Sequence, residues 1–215
     1  MGRKVILTGA TGYVGEGVLL ECLAHPEVDQ VLVVGRRSCG RSHAKLTELL
    51  VPDFLELDAV KDRFTGYDGC FFCAGISSVG MGEADYTRAT YDTTLAFARA
   101  VHEGSSLATF IYVSGAGTNL HGRQMWARVK GRTEQELSTL GFRQQFNFRP
   151  GLMTLTPGMR NPKWWMRVLV PAFAVLMPWV TCSMKQVGLA MIHAVQRGYP
   201  KNVLEVKDIK ALAKA

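Results

Sequence analysis

Three glycines spaced by two residues stand in Thr8-Gly9-Ala10-Thr11-Gly12-Tyr13-Val14-Gly15, directly after the apolar run Val5-Ile6-Leu7. The run reads as a strand, and Val14 to Leu23 reads as a helix with Val14, Val18, Cys22 and Leu23 on one face. At such a junction Gly9 allows a tight turn, Gly12 lets a ligand approach the backbone, and Gly15 lets the helix pack on the strand. Free amides at the helix start then attract negative charge, which here implies a dinucleotide pyrophosphate. Ala10, Thr11, Tyr13 and Val14 complete the cradle.

The second apolar run, Val31-Leu32-Val33-Val34, ends in Gly35-Arg36-Arg37. An NAD site usually carries an acid at this place to bind the 2′-hydroxyl of the adenosine ribose. Two guanidinium groups instead suit a 2′-phosphate and stacking on adenine, so NADP(H) is expected ahead of NAD(H). Asp58, after a third run at Phe54–Leu57, is expected to hydrogen-bond the adenine. Cys73, Ala74 and Gly75, after a fourth, are expected beneath the ribose and phosphates.

These loops need strands and helices to hold them. Short continuous apolar runs alternate with helical patterns: a helix over 42–50, strands at 54–57 and 69–74, and a long helix near 83–103. A strand at 110–113, a helix over 123–140 and a strand ending at Arg149 follow. Apolar runs without polar alternation imply strands buried on both faces. Strands separated by helices imply right-handed crossovers. The expected class is therefore α/β: a doubly wound, mostly parallel Rossmann sheet with helices on both faces. It forms one NAD(P)-binding domain over 1–215, with 152–200 as a small helical lid, substrate or interface region. Within that stretch 163–180 is expected to be helical up to its prolines. Ser183 to Gln196 is expected as a helix, followed by a strand at 203–206 and a short helix over 209–213.

Thr8–Gly15, the Ala74-Gly75 turn, Val129-Lys130-Gly131 and Arg149-Pro150-Gly151 together resemble the atypical short-chain dehydrogenase/reductases. Within them the chain is most similar to NAD-dependent epimerase-like proteins of the Tat-interacting oxidoreductase type. The resemblance covers nearly the whole chain and implies a bound dinucleotide. It also implies a Tyr-x-x-x-Lys pair on the helix after the fifth strand, where the lysine holds the ribose and lowers the tyrosine's pKa. Here Lys130 matches the lysine and Trp126 stands at the tyrosine's position. An indole N–H only donates and cannot shuttle a proton. Ser114 opens the loop where the family serine is sought, with Thr118 as a substitute, and Pro150 is expected against the nicotinamide carboxamide.

Three readings stay open: a reductase with a relocated acid, an NADP(H)-sensing binding protein, and hydride transfer to an acceptor that takes its proton from water. The first has Tyr13, Tyr91, Tyr112 and His121 to draw on, with His121 the least strained choice. In the third, Trp126 is a flat apolar wall beside the nicotinamide.

The formal charge of +7 invites a nucleic-acid reading, which its distribution removes. Residues 1–150 are balanced, and all of the excess lies in 151–215. There Arg160, Lys163 and Arg167 precede an apolar run flanked by Trp164, Trp165 and Trp179. Such a segment suits a lid over an apolar small-molecule substrate, a homodimer surface, or peripheral membrane contact through 160–180. Broken by Pro171 and Pro178, it does not suit a spanning helix. The N-terminal apolar run is too short for a secretory leader, and five cysteines without framework spacing suit a reducing compartment. A cytoplasmic protein, with membrane association as an option, is expected. Cys70 and Cys73 are three apart on a strand and point to opposite faces. His193, Met191 and Met184 lack partners at ligand spacing, so no metal is expected.

Overall fold

The computed structural model describes residues 2–160 and 176–214. Seven parallel strands form one sheet: β1 (Arg3–Thr8), β2 (Val28–Gly35), β3 (Leu46–Leu50), β4 (Gly69–Phe72), β5 (Thr109–Val113), β6 (Gln144–Arg149) and β9 (Val203–Glu205). Their order is β3-β2-β1-β4-β5-β6-β9, so the direction of winding reverses between β1 and β4. A ligand crevice forms at such a switch point, outside the carboxyl ends of the strands.

Alternation along each strand divides the interior into two apolar layers. Val5, Leu7, Val31, Val33, Phe71 and Ile111 point to the face covered by α1 (Tyr13–Ala24), α5 (Met184–Arg197) and α6 (Val206–Lys214). Ile6, Leu32, Val34, Cys70, Phe72, Phe110 and Tyr112 point to the other face, with Leu95, Phe97, Ala98 and Val101 of α3 (Thr93–Gly104) and Leu137 of α4 (Met125–Leu137). Cys70 and Cys73 accordingly belong to opposite layers. The expected long helix consists of α2 (Glu83–Thr87), a wider π-type turn over Arg88–Asp92, and α3.

Two expectations need correction. Residues 42–50 do not form a helix: Leu46–Leu50 is the third strand, paired with β2 from Val31↔Leu46 to Gly35↔Leu50. Leucine and glutamate favour helices locally, but pairing beside a buried strand overrides that preference. Phe54–Leu57 is therefore not a strand; it lies in turns that bury Phe54 and Leu57 against the α3 layer. In the second half of the 152–200 region, α5 packs directly on α1. A Cβ on Gly17 would fall 1.9 Å from Met184 Cγ, and one on Gly188 would fall 2.7 Å from Glu21 Cβ. Ser183 caps α5, its hydroxyl accepting from Gln186 N while Gln186 Oε1 accepts from Ser183 N.

A second, two-stranded sheet joins β7 (Leu152–Thr154) to β8 (Thr181–Ser183). It closes the base of the chain between 155 and 180. Most of the tryptophan-flanked run, including the expected helix before Pro171, lies outside the described residues.

Candidate functional site

The carboxyl ends of β1, β2 and β4 enclose a cavity of about 350 Å³. Gly9, Ala10, Thr11 and Gly12 form one wall, Gly35, Arg36 and Arg37 a second, and Cys73, Ala74 and Gly75 a third. The turn after β1 is closed by Gly12 N donating to Gly9 O at 2.8 Å. Gly9 has φ +72°, and a Cβ there would fall 2.6 Å from Cys73 O. One on Gly15 would fall 2.1 Å from Gly9 O, so only glycine lets α1 start this close to β1. Thr8 adds a tie that the sequence reading missed: its hydroxyl accepts from Ala74 N at 3.1 Å, joining the turns after β1 and β4.

This cavity fits a dinucleotide. Gly12 caps α1 without a side chain, so no side-chain oxygen answers the first-turn amides of the helix. Their positive end faces the crevice, where a pyrophosphate would lie. Phe54, Ile76 and Ala89 give an apolar slot for a purine. Arg36 and Arg37 are exposed at its rim, where a 2′-phosphate would reach them.

Asp58 is not among the lining residues; Asp53 and Phe54 are. The assignment followed from placing the third strand at 54–57. With β3 ending at Leu50, the acid beyond it that faces the cavity is Asp53, whose carboxylate also accepts from Leu55 N at 2.9 Å. Ala89, within the π-type turn, and Thr93, just after it, reach the cavity, a contact with no local sequence signal. Val14 turns into the α1 layer, and Tyr13 donates from its hydroxyl to Met153 O on β7. Burial, reinforced by Cys182, pushes the Tyr13 phenol up to about 12.

Ser114, Trp126, Lys130 and Pro150 lie outside this cavity, farther along the same edge of the sheet. Ser114 follows β5, the neighbour of β4, and its amide donates to Phe148 O at 2.8 Å. Its hydroxyl lies 3.0 Å from that of Thr118, and Thr118 donates to Gly115 O at 2.8 Å. With the Thr118 proton on Gly115 O, Ser114 is the donor between the two hydroxyls. Both hydroxyl protons are thus directed into the loop.

Trp126, half-buried on the first turn of α4, lies against that loop. A Cβ on Gly115 would fall 3.8 Å from Trp126 Cζ3, and one on Gly117 would fall 3.6 Å from Cη2. Lys130, one turn along α4, places Nζ 3.4 Å from both Tyr112 Oη and Val113 O. Burial lowers the Lys130 ammonium to about 8, against the opposing pull of Glu134. Burial raises the Tyr112 phenol far above its ordinary value, and at 1% exposure the ring is closed to a substrate. Tyr91 lies under the Arg132 guanidinium at 4.1 Å, and His121 is exposed on the loop. Pro150 is buried behind this edge, where a Cβ on the following Gly151 would meet Val180 O at 2.1 Å.

Two buried carboxylates fix these loops, neither of them singled out from the sequence. Glu134 on α4 receives Arg149 of β6 through Nε at 2.9 Å and Nη2 at 2.5 Å, and Arg149 also reaches Glu205 at 3.2 Å. Glu16, in the first turn of α1, accepts from Arg41 at 2.5 Å and from Arg160 N at 2.9 Å. Arg41 continues to Gly158 O at 2.8 Å. The loop after β2 and the segment after β7 are therefore both tied to the phosphate-facing helix. Among the described residues no group of His, Cys, Asp and Glu side chains could hold a metal ion.

Relatives of the chain agree with this geometry. It is 29% identical over 165 residues to protein fmp52-1, mitochondrial, of Aspergillus terreus, covering 74% of this chain and 70% of that one. To protein HTATIP2 of Rattus norvegicus it is 26% identical over 166 residues, with 76% and 68% covered. The Bordetella bronchiseptica enzyme WbmH, solved in complex with NAD+, shares the fold with a TM-score of 0.67 at 17% identity, over 94% of this chain and 74% of its own. No helix among the described residues is long and apolar enough to cross a membrane. The profile that matches residues 5–121 runs from β1 through the cavity walls to the Ser114–Thr118 loop, and it places this chain in the NAD dependent epimerase/dehydratase family.

Proposed function

We propose that the chain binds NADP(H) between Gly9 and Gly75 and acts as a specialised or weak reductase of an apolar small molecule. One observation carries the cofactor reading: Arg36 and Arg37 share a cavity with the Gly9–Gly12 turn, and β2 ends without an acid. A phosphate on the 2′-oxygen would meet charge-assisted donors at the end of β2, where that strand offers a bare 2′-hydroxyl no carboxylate of its own. When bound, the dinucleotide supplies a hydride at its nicotinamide. The chain's own part is to hold the pyrophosphate at the start of α1 and the nicotinamide ribose near Lys130. Trp126 gives the acceptor an apolar wall.

A second reading is an NADP(H)-sensing binding protein without turnover. It is favoured by Trp126 at the position of the acid and by the inward-directed hydroxyls of Ser114 and Thr118. Titrating the protein into NADPH and following nicotinamide fluorescence tests the premise common to both. Saturable enhancement is expected, and its absence with NADPH and NADH alike would remove both. NADPH oxidation against ketones, enals and quinones separates them: turnover with any acceptor supports the reductase, and tight binding without turnover supports the sensor.

A further inference from the structure

The acceptor's chemistry can be narrowed from how the proton donors among the described residues are engaged. Hydride addition to an isolated ketone makes an alkoxide at least as basic as hydroxide, the conjugate base of water (pKa about 15.7). Such an anion needs an acid at hydrogen-bond distance as it forms. With the Thr118 proton on Gly115 O, the Ser114 hydroxyl donates to Thr118, so both protons are engaged within the loop. Tyr112 is sealed in the core, Tyr13 donates to Met153 O, Tyr91 is covered by the Arg132 guanidinium, and His121 is exposed to solvent on the loop. Lys130 directs its ammonium at Tyr112 and Val113 O, beneath the strand end. At the tyrosine's place stands an indole, with no acidic proton to give.

The same residues make a good surface for a flat molecule. The Trp126 ring lies on a loop whose Gly115 and Gly117 carry no side chains. Gly117 has φ +86°, where an L side chain would be strained. A planar conjugated ring can stack on such a half-buried indole through its face.

We propose that the acceptor is a quinone, stacked on Trp126 and reduced without an acid from the protein. This rests on the NADP(H) reading above. With NADPH bound, the C–H bond at C4 of its nicotinamide would break and the hydride would form an O–H bond on one quinone oxygen. The quinone gains two electrons, the nicotinamide loses two, and the other oxygen is left as a phenolate. A phenolate with a pKa near tyrosine's, about 10, is stable enough to leave and take its proton from water.

The test compares 2-methyl-1,4-naphthoquinone with cyclohexanone in NADPH oxidation, after calorimetry has shown whether NADPH binds. Quinone turnover at least tenfold above cyclohexanone is expected. Trp126→Leu should raise the KM for the quinone about tenfold, and Trp126→Phe should recover most of that loss. Without any turnover, the quinone should quench tryptophan fluorescence saturably in the presence of NADP+, and Trp126→Phe should remove that component. Trp126→Tyr should gain cyclohexanone reduction. Failure of NADPH to bind overturns the cofactor reading and this inference with it. NADPH binding with cyclohexanone preferred, with no quinone turnover, or with quenching and KM unchanged in the Trp126 variants, overturns the quinone assignment alone.

Discussion

Lys130 Nζ lies 3.4 Å from the hydroxyl of Tyr112 and 5.2 Å from the centroid of its ring. The family's tyrosine and lysine would share a helix face, whereas here the lysine's phenolic neighbour is on β5, under the helix and shut away from substrate. On the proposed reading, the groups that would hold the cofactor and those that would transfer a proton are therefore separated along this edge. Gly9, Gly12 and Lys130 remain, while the acid position holds an indole.

Lys130 should leave a mark on stability against pH. Burial sets its folded pKa at about 8, below the ordinary 10.5. The unfolded chain thus binds more protons between these values, and stability rises as pH climbs through that window. Below about 8 the ammonium is charged in both states and its burial penalty is fully present. Urea unfolding of the wild type from pH 7 to 10.5 should show this rise relative to Lys130→Met. Parallel curves for the two proteins would show that Lys130 is not desolvated.

Gly15→Ala should be costly although alanine favours helices. Its methyl would fall 2.1 Å from Gly9 O, in a turn already held against the Cys73–Ala74 backbone. Overpacking of this kind costs about 1–3 kcal/mol. Equilibrium unfolding should show that loss together with weakened NADPH binding. Wild-type stability and affinity in the variant would contradict the close approach of α1 to β1.

Glu134→Gln should loosen α4 from β6. The Glu134 and Arg149 side chains are 7% and 19% exposed, and removing one charge leaves the other buried and only partly answered by Glu205. A loss of about 3 kcal/mol is expected, the low end for breaking a buried pair. Thermal unfolding of Glu134→Gln and of Glu205→Gln compares them directly. The second should cost far less, since the Glu205 side chain is 44% exposed.

The nucleotide edge was legible because its signals are local. A glycine turn between an apolar strand and a helix is written in consecutive residues from Thr8 to Gly15. The sheet class followed from continuous apolar runs such as Val31–Val34 and Phe110–Val113. Leu46–Leu50 was not legible, because Leu-Thr-Glu-Leu-Leu favours a helix until β2 is beside it. The same misplaced strand is why Asp58, rather than the cavity-lining Asp53, was expected at the adenine. Glu134 and Glu16 went unread for another reason: their partners Arg149, Arg41 and Arg160 are 15 to 144 residues away. The inward pairing of Ser114 with Thr118 is likewise a matter of rotamers, which spacing alone does not give.

The central claim is that Arg36 and Arg37 read a 2′-phosphate at the mouth of the Gly9–Gly75 cavity. Calorimetric titration of NADPH and of NADH into the wild type and into Arg36→Ala/Arg37→Ala tests it directly. NADPH should bind the wild type more tightly than NADH. The double substitution should weaken NADPH by about tenfold to a hundredfold, as loss of charge-assisted hydrogen bonds requires, and should leave NADH nearly unchanged. Equal affinity of the wild type for both nucleotides, or an equal loss of both in the variant, would contradict it.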